Sequence, residues 1–505
     1  MKLRLKILYI TCLFIIIITH SALSFPELGS FSEDIPLNES NYRGIYRAVE
    51  VLRNQGWLDY FEFYDSPYRF EKLANELESL EPYRLSPSGK AAYEYLRMRI
   101  KDHLYSEELT FGADIGTGVI DEDEAEFQWD LYPLLEYKTG GFSFISRYTI
   151  ASSLEDNPRY QGKKWSGFGG YGSTVYGAYT TERLHLKLGR QRMKWGSGNS
   201  GSLILSGRSM PYDGLQFTYA LRYNLKIKTF TFVLDPYEDS LGTYNERYLS
   251  GHRLIWMPFE NLIFGLSEVV IYGGEGRNPE IYYTIPLFFL HGSQLNQSRD
   301  DNTLIGTDFR WRPFAATEVY GEFMIDDLQI EDKSKMDDEP AEYAMLFGIY
   351  RSGLPLLPLF DLSLEYVRIT NRTYNQPEPR NRYINRGYYI GHPLGNDVDK
   401  LTGEIVFRPA GSIWVSVELS TTRRGEGRVE NQWDTPWLYT DNFKEDFPTG
   451  VVEKANEVRI FLEYLTFYNT RLFVSGWYQD INNLNNIEEA EDQTSGFEVG
   501  MNFTF

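Results

Sequence analysis

The chain has 505 residues, a formal net charge of −21, one cysteine, and 38 Tyr, 32 Phe and 10 Trp. A single thiol excludes an internal disulfide framework, the acidic balance argues against nucleic acid as a partner, and this aromatic content argues against a disordered chain. Beyond the N-terminus no run of about 18 consecutive apolar residues occurs, which excludes a bundle of membrane helices.

Residues 1–24 have the pattern of a secretory signal peptide. Three basic residues among the first six supply a positive n-region, residues 7–19 form a short apolar segment, and residues 22–24 (Ala-Leu-Ser) supply small residues for signal peptidase. The apolar segment is too short to span a bilayer comfortably, which argues against a membrane anchor. We therefore expect an exported protein of the bacterial envelope.

Residues 25–105 are predicted to form a small N-terminal helical domain. Apolar residues recur at helical spacing over 42–52 and again over 70–80, and a third helix begins with Ser86 as its N-cap and Pro87 at its first position. A domain of this size is marginally stable alone, so we expect it to plug or cap a larger domain. A solvated periplasmic module is the alternative.

From residue 106 to residue 505 the apolar period is that of β-strands. In 457–464, for example, Val458, Ile460 and Leu462 alternate with Glu457, Arg459 and Phe461. A soluble sandwich has the same alternation, so the lengths of the connections decide between the two folds. We predict strands at 107–118, 126–137, 142–153, 168–180, 183–192, 214–222, 225–234, 250–257, 262–271, 303–312, 316–326, 341–352, 359–370, 398–408, 412–423, 455–465, 469–480 and 494–505.

Short turns and long loops join these eighteen strands alternately, which is typical of a transmembrane antiparallel β-barrel of the bacterial outer membrane. The segment 281–290 is assigned to a long loop; as a strand it would change the count. The short turns would be periplasmic and the long loops extracellular. Because a barrel of this size has a wide lumen unless it is filled, the helical domain is the candidate to fill it. Outer-membrane lipid, lipopolysaccharide and the barrel-assembly machinery are the partners expected for such a barrel.

No catalytic residue, metal site or cofactor is predicted. The histidines are scattered, and no H-E-x-x-H or G-x-S-x-G motif occurs. The pairs Asp300-Asp301 and Asp326-Asp327 would suit a glycosidase, but adjacent carboxylates more often supply loop charge. The glycine-rich run 196–201 opens no predicted helix, so a phosphate cradle is not favoured. A glycan-processing enzyme is kept as a third alternative.

The long loops divide into two sets by charge. One set is acidic, at 121–126, 331–342 and 488–492, and is either a solvated repulsive face or a bridge through divalent cations to anionic glycolipid. The other set combines Arg and Lys with aromatic rings, which suits an acidic polysaccharide because arginine pairs bidentately with carboxylates. Interface aromatics and Arg–Glu ladders inside the lumen are the alternative. The candidate polysaccharide-binding residues are Arg159, Tyr160, Trp165, Arg192, Trp195, Arg208, Tyr212, Arg382, Tyr383, Arg386, Tyr388 and His392.

Five segments resemble, in order and spacing, the motifs of the capsule assembly protein Wzi family. They lie within 188–211, 250–254, 301–308, 320–327 and 391–395. The motif residues singled out are Gly189, Arg190, Trp195, Gly196, Gly198, Ser206, Pro211, His252, Arg253, Asp301, Asn302, Asp326 and Asp327.

The resemblance implies an 18-stranded outer-membrane barrel with an N-terminal helical element. It also implies a non-enzymatic, lectin-like role in which capsular or extracellular polysaccharide is bound and attached to the cell surface. The chain departs from the family in long acidic insertions near 327–342 and 424–454, so its ligand can differ from that of other members. The alternative function is a porin or specific channel for sugars or anionic solutes, lined by the charged inner face.

Overall fold

The computed structural model describes residues 34–37, 39–100, 109–122, 125–285, 301–327, 339–466 and 470–504. Its main feature is a closed antiparallel β-barrel of eighteen strands, as predicted. The barrel closes where strand β1 pairs with strand β18, from Asp114 opposite Thr504 to Asp121 opposite Phe497. The strands are β1 Leu109–Asp121, β2 Ala125–Thr139, β3 Phe142–Ala151, β4 Phe168–Thr180, β5 Leu184–Gln191, β6 Tyr212–Ala220, β7 Leu225–Val233, β8 Tyr244–Phe259, β9 Leu262–Gly274, β10 Asn302–Phe314, β11 Thr317–Asp327, β12 Glu342–Arg351, β13 Phe360–Ile369, β14 Val398–Ala410, β15 Ile413–Arg424, β16 Glu453–Leu465, β17 Thr470–Asn482 and β18 Glu491–Thr504.

The alternation of side chains along each strand separates an apolar outer face from a polar inner face. On β13, Leu362 and Leu364 are 43% and 47% exposed, whereas Glu365 and Val367, on the opposite face, are buried. Large apolar side chains are exposed in the same way on the other strands of the barrel. Such an outer face needs lipid rather than water around it, which places the barrel in the outer membrane.

The connections also follow the prediction, with short turns at one end of the barrel and long loops at the other. Two residues join β2 to β3, two join β8 to β9 and two join β14 to β15. The segment 275–301 at the opposite end contains a 3₁₀ turn at Ile281–Thr284, and residues 286–290 lie outside the described residues. The described part therefore leaves the strand count at eighteen.

Three helices precede the barrel: α1 Arg43–Asn54, α2 Phe70–Ser79 and α3 Pro87–Ile100. The Ser86 hydroxyl accepts a hydrogen bond from the Gly89 amide at 3.1 Å, which confirms the predicted N-cap. The third helix ends at Ile100, and the domain boundary predicted at 105 lies outside the described residues. No helix in the described ranges is long and apolar enough to cross a membrane.

The helical segment, called the plug here (residues 34–37 and 39–100), lies inside the barrel. Its apolar side chains, including Ile45, Val49, Leu73 and Leu96, form one buried core. Its polar side chains bind inward-facing residues of widely separated strands, as Tyr42 binds Asp114 of β1, Arg53 binds Glu318 of β11, and Tyr95 binds Glu463 of β16. The helices therefore fill the lumen near the short turns and are not a separate solvated module.

Two long loops fill the lumen from the other end. The inner loop (residues 192–211) buries Trp195, Leu203 and Leu205, and the cover loop (residues 370–397) buries Tyr374 and Tyr383 in the same core cluster. Within the cover loop, the short strands Ile384–Asn385 and Tyr388–Tyr389 form a small hairpin. The lumen therefore contains three layers: plug, inner loop and cover loop.

Candidate functional site

The inner loop is hydrogen-bonded to two carboxylates of the barrel wall. Glu322 of β11 accepts hydrogen bonds from the amides of Gly198 and Leu203, the second at 2.7 Å. Glu365 of β13 accepts hydrogen bonds from the amides of Asn199 and Ser200 at 2.7 and 2.9 Å. Successive backbone amides form an anion-binding concavity, and here the protein's own carboxylates occupy it. The glycine-rich run therefore anchors the loop instead of offering these amides to a phosphate.

A glycine is required at the start of this run. Gly196 has φ +127°, and a Cβ atom built on it would lie 2.6 Å from Oε1 of Glu322. Such a backbone conformation is strained for other residues, and the space is already taken by the carboxylate. The close approach of loop and wall therefore depends on this residue.

The cover loop is bonded directly to the inner loop. The hydroxyls of Tyr374 and Tyr383 donate to the carbonyls of Leu203 and Ile204 at 2.7 and 2.9 Å. His392 Nε2 lies 3.2 Å from the Ser200 hydroxyl. Burial, with the nearby positive charges of Arg208, Lys400 and Lys194, lowers the pKa of His392 to about 3, so the imidazole is neutral.

Several of the predicted family-motif residues join separate elements of the fold. Arg253 on β8 binds Asp65 of the plug and Asp308 of β10, and His252 Nε2 lies 3.0 Å from Glu268 on β9. Arg190 Nε donates to Asp213 on β6 at 2.7 Å. These residues join strands to one another and the wall to the plug.

A second group of motif residues holds the long loops. Asp301 binds the Arg277 guanidinium and the Tyr283 hydroxyl, so this carboxylate is engaged in an ion pair. Asp326 accepts from the Tyr374 amide at 2.6 Å, Asn302 Nδ2 donates to the Asn381 carbonyl, and the amide and hydroxyl of Ser206 donate to the Ile390 carbonyl. Three other motif residues lie at special points of the backbone. Gly189 has φ +136°, Asp327 ends β11 opposite Glu342, and Pro211 precedes β6.

The twelve predicted polysaccharide-binding residues do not form one cluster. Five are buried instead of facing solvent at the barrel mouth: four lie on the long loops, and Tyr212 begins strand β6. Arg192 and Arg382 donate to backbone carbonyls, of Ser209 and Asn431 respectively, and Arg208 faces the interior of the lumen. The buried five are Tyr160, Trp195, Tyr212, Tyr383 and His392.

The other four lie at the long-loop end, and two of them, Arg159 and Tyr388, meet where the loop 152–167 touches the cover loop. The Arg159 guanidinium carbon lies 5.6 Å from the ring centre of Tyr388 and 6.0 Å from that of Tyr389. Arg386 follows the short strand Ile384–Asn385 and has a φ of 51°, where its amide donates to Asp235 Oδ1 at 2.9 Å. The Arg159 surface is defined here as Arg159, Trp165, Arg386, Tyr388 and Tyr389.

The two arginines of the Arg159 surface have no direct ion-pair partner. Among the described residues, neither Arg159 nor Arg386 has a carboxylate within 4.0 Å of its side-chain nitrogens. Trp165 is exposed and stacks on Phe168 with ring centres 5.5 Å apart. Burial and the neighbouring Glu430 raise the pKa of Tyr389 to about 12, so its hydroxyl stays protonated and donates to that carboxylate at 3.1 Å. The Arg159 guanidinium lies beside ring faces; the guanidinium can pair with a carboxylate, and the rings can pack against a sugar ring.

Sequence reasoning missed Glu322 and Glu365 as the anchors of the inner loop. Their only local signal is the inward position on an alternating strand, which many lumen carboxylates share. The contact between Glu322 and Gly198 spans 124 residues of sequence, so no short-range pattern reveals it.

The fold and the filled lumen define the class of the protein as an 18-stranded outer-membrane β-barrel closed by its own N-terminal helices. The family model described as "Capsule assembly protein Wzi" matches residues 149–495. The chain belongs to the capsule assembly protein Wzi family. No curated protein sequence matches it.

Among solved structures, the chain is similar to Wzi of Escherichia coli, described as an outer-membrane protein involved in group 1 capsule assembly and a carbohydrate-binding β-barrel. The two are 18% identical, the match covers 92% of this chain and 98% of that one, and the TM-score is 0.65. OprD of Pseudomonas aeruginosa is 10% identical over 79% of this chain and 96% of its own, with a TM-score of 0.44. OccAB2 of Acinetobacter baumannii is 9% identical over 79% and 98%, with a TM-score of 0.46.

Proposed function

We propose that this protein binds an exported acidic polysaccharide, capsular or extracellular, at the cell surface and attaches it there. It is lectin-like and makes or breaks no covalent bond. The observation that carries the proposal is the Arg159 surface, where Arg159 lies over the half-buried rings of Tyr388 and Tyr389 and has no carboxylate within 4.0 Å among the described residues. Its family, and the carbohydrate binding described for the E. coli structure, support the same ligand class.

The net charge of −21 does not argue against an acidic ligand. Electrostatic interactions are screened beyond about 8–10 Å at physiological salt, so the local charge decides. At the Arg159 surface that local charge is positive. Trp165 and the two tyrosines add apolar faces on which a sugar ring can pack.

A binding assay with purified protein tests the surface. The double variant Arg159→Ala and Arg386→Ala should bind polysaccharide from the host's own cells at least about tenfold more weakly, because each arginine supplies a charge-assisted hydrogen bond. The matched control is Arg84→Ala, an exposed arginine of the plug at the opposite end of the barrel. Equal binding by the double variant and the control would contradict this assignment.

Two further measurements separate attachment from the alternatives. Deleting the gene should release cell-bound polysaccharide into the medium while its synthesis continues; unchanged retention would contradict attachment. In planar bilayers the plugged barrel should conduct little, whereas large stable channels would favour the porin. Turnover of a glycan that stops in an Asp326→Asn, Asp327→Asn variant would favour the enzyme.

Four further proposals rest on the sequence. The signal peptide 1–24 is cleaved, the barrel-assembly machinery inserts residues 106–505, and lipopolysaccharide surrounds the outer half of the barrel. The acidic loops at 121–126, 331–342 and 488–492 bridge to that glycolipid through divalent cations. The structure describes these loops only in part.

A further inference from the structure

A chamber of about 530 Å³ lies within the barrel, separate from the Arg159 surface. The plug forms its floor with Arg43 and Arg47, and the inner loop contributes Lys194 and Arg208. Strands β13 to β15 form its wall. Small-molecule sites commonly have volumes of about 300–1,000 Å³, so the chamber is large enough for one.

The chamber contains positive charge that the protein does not neutralise. Arg47 binds Glu404 at 2.7 Å and is therefore paired. Arg43, Arg208 and Lys400 have no carboxylate within 4.0 Å among the described residues, although all three line the chamber. Five carboxylates line the chamber against seven basic side chains, and none of the five lies within 4.0 Å of Arg43, Arg208 or Lys400; the five are Glu39, Glu50, Glu365, Glu404 and Glu418.

The surroundings of Arg43 and Arg208 destabilise the positive charge on their guanidinium groups. Burial, together with repulsion from Arg47, lowers the pKa of Arg43 and of Arg208 below the ordinary arginine value. Arginine nevertheless remains protonated in proteins, so both guanidinium groups stay charged and exposed to the chamber. Enclosed charges are stabilised by an opposite charge, and a bound anion would supply it.

Neutral hydrogen-bonding groups lie on the same wall. The hydroxyls of Ser363 on β13 and Thr402 on β14 line the chamber, and neither has a hydrogen-bond partner among the described protein groups. Cations and free hydroxyls in one chamber match a ligand that carries both an anionic group and hydroxyls.

We propose that the chamber binds a carboxylate-bearing sugar, with Arg43, Arg208 and Lys400 facing its carboxylate and Ser363 and Thr402 facing its hydroxyls. The ligand class rests on the proposed function, in which the polymer itself is acidic. Either a free uronate or an acidic chain end has this chemistry.

Calorimetric titration of the detergent-solubilised barrel tests the proposal, with glucuronate, glucose and inorganic phosphate as separate probes. Glucuronate should bind, more weakly at higher NaCl, and glucose should bind at least about tenfold less tightly, because it lacks the charged partner. Phosphate binding as tight as that of glucuronate would overturn the assignment to a sugar.

Arg208→Gln and Lys400→Gln should each weaken glucuronate binding by about tenfold, because each loses a charge-assisted contact. Arg84→Gln is the matched control and should bind as the wild type does. Using two variants, one on the loop and one on the wall, keeps the test open if either fails to fold. Wild-type affinity in both would overturn the proposal.

Binding of host polysaccharide tests the proposed function, and binding of glucuronate tests the chamber, so the two proposals can fail separately. Wild-type protein that binds glucuronate but no host polysaccharide would support the chamber and contradict the proposed function. Polymer binding together with glucuronate binding that is insensitive to Arg208→Gln and Lys400→Gln would overturn the chamber alone. Polymer binding that weakens in both variants would show that an acidic chain end enters the chamber.

Discussion

Asp65 of the plug and Arg253 of strand β8 form a two-point ion pair, with Nε–Oδ2 and Nη2–Oδ1 distances of 3.1 and 3.2 Å. The same guanidinium binds Asp308 of β10, with Nη1 2.6 Å from Oδ2. All three side chains are buried. This arginine therefore joins the plug to two wall strands at once.

Replacing Arg253 with Met should weaken the attachment of the plug to the barrel wall. The change leaves Asp65 and Asp308 buried without this partner, and breaking a buried pair in this way costs about 3–5 kcal/mol. Urea unfolding in detergent, with limited proteolysis of the plug, measures the effect. The control Arg423→Met breaks a pair with Asp399 in which the arginine is 48% exposed, and it should cost about 1 kcal/mol or less. Equal costs would contradict the role given to Arg253.

Substitution of Glu322 by Gln should loosen the inner loop. The carboxylate accepts from two backbone amides, whereas the carboxamide has a single acceptor oxygen, so one buried amide loses its partner at about 1–3 kcal/mol. Trypsin cleavage after Lys194 and Arg208, followed by mass spectrometry, should become faster. Glu457→Gln, on a partly exposed pair with Arg459, should leave the cleavage rate unchanged. A trypsin cleavage rate equal to that of the wild type would contradict the role of Glu322 in anchoring the inner loop.

The substitution Gly196→Ala should destabilise the contact between the inner loop and Glu322 through steric overlap and backbone strain. The new Cβ would lie 2.6 Å from Glu322 Oε1, and φ +127° is strained for alanine, together about 1–3 kcal/mol or more. Thermal unfolding compares this variant with Gly177→Ala, where a Cβ meets no heavy atom within 4 Å. If both glycines tolerate alanine equally, the loop does not need the close approach seen at Gly196.

Acid should weaken the attachment of the plug through Glu62. Burial alone would raise the pKa of Glu62, but Lys226, Arg69 and Lys72 lower it to about 2. The unfolded chain has an ordinary glutamate value of about 4.3, so this stabilisation is complete above that pH and is lost as pH falls towards 2. Thermal unfolding between pH 6 and pH 2.5 should show a smaller acid-induced loss in Glu62→Gln than in the wild type. Parallel profiles would contradict the prediction.

The barrel itself was predictable because its signal is local. Alternation on β16 is visible in the sequence, and Val458, Ile460 and Leu462 do face outward while Glu463 faces the lumen. Ser86 and Pro87 likewise mark the start of α3 within a few residues. The strand count follows from such signals and from the alternation of connection lengths.

The path of the long loops was not predictable in this way. Trp195, Tyr212 and Tyr383 belong to segments that the sequence assigns to loops, and loops normally lie at the surface. In the structure, Trp195 and Tyr383 lie on loops that fold inward and Tyr212 begins strand β6, and the three rings are buried. The contacts that turn them inward join distant parts of the chain; Tyr374 and Leu203, for example, are 171 residues apart. The periodicity of one segment carries no information about such a contact.

Two residues of the plug form hydrogen bonds with the first and last strands where these strands meet. Asn41 Nδ2 donates to the hydroxyl of Thr504 at 3.3 Å, and the Tyr42 hydroxyl donates to Asp114 at 2.8 Å. Thr504 and Asp114 are themselves opposite one another across this seam. The plug is synthesised first and β18 last, so the seam forms around a segment already made. A barrel closed without the plug would leave Asp114 without Tyr42 and Arg147 without Glu39, so the closure of the barrel is stabilised by the plug inside it.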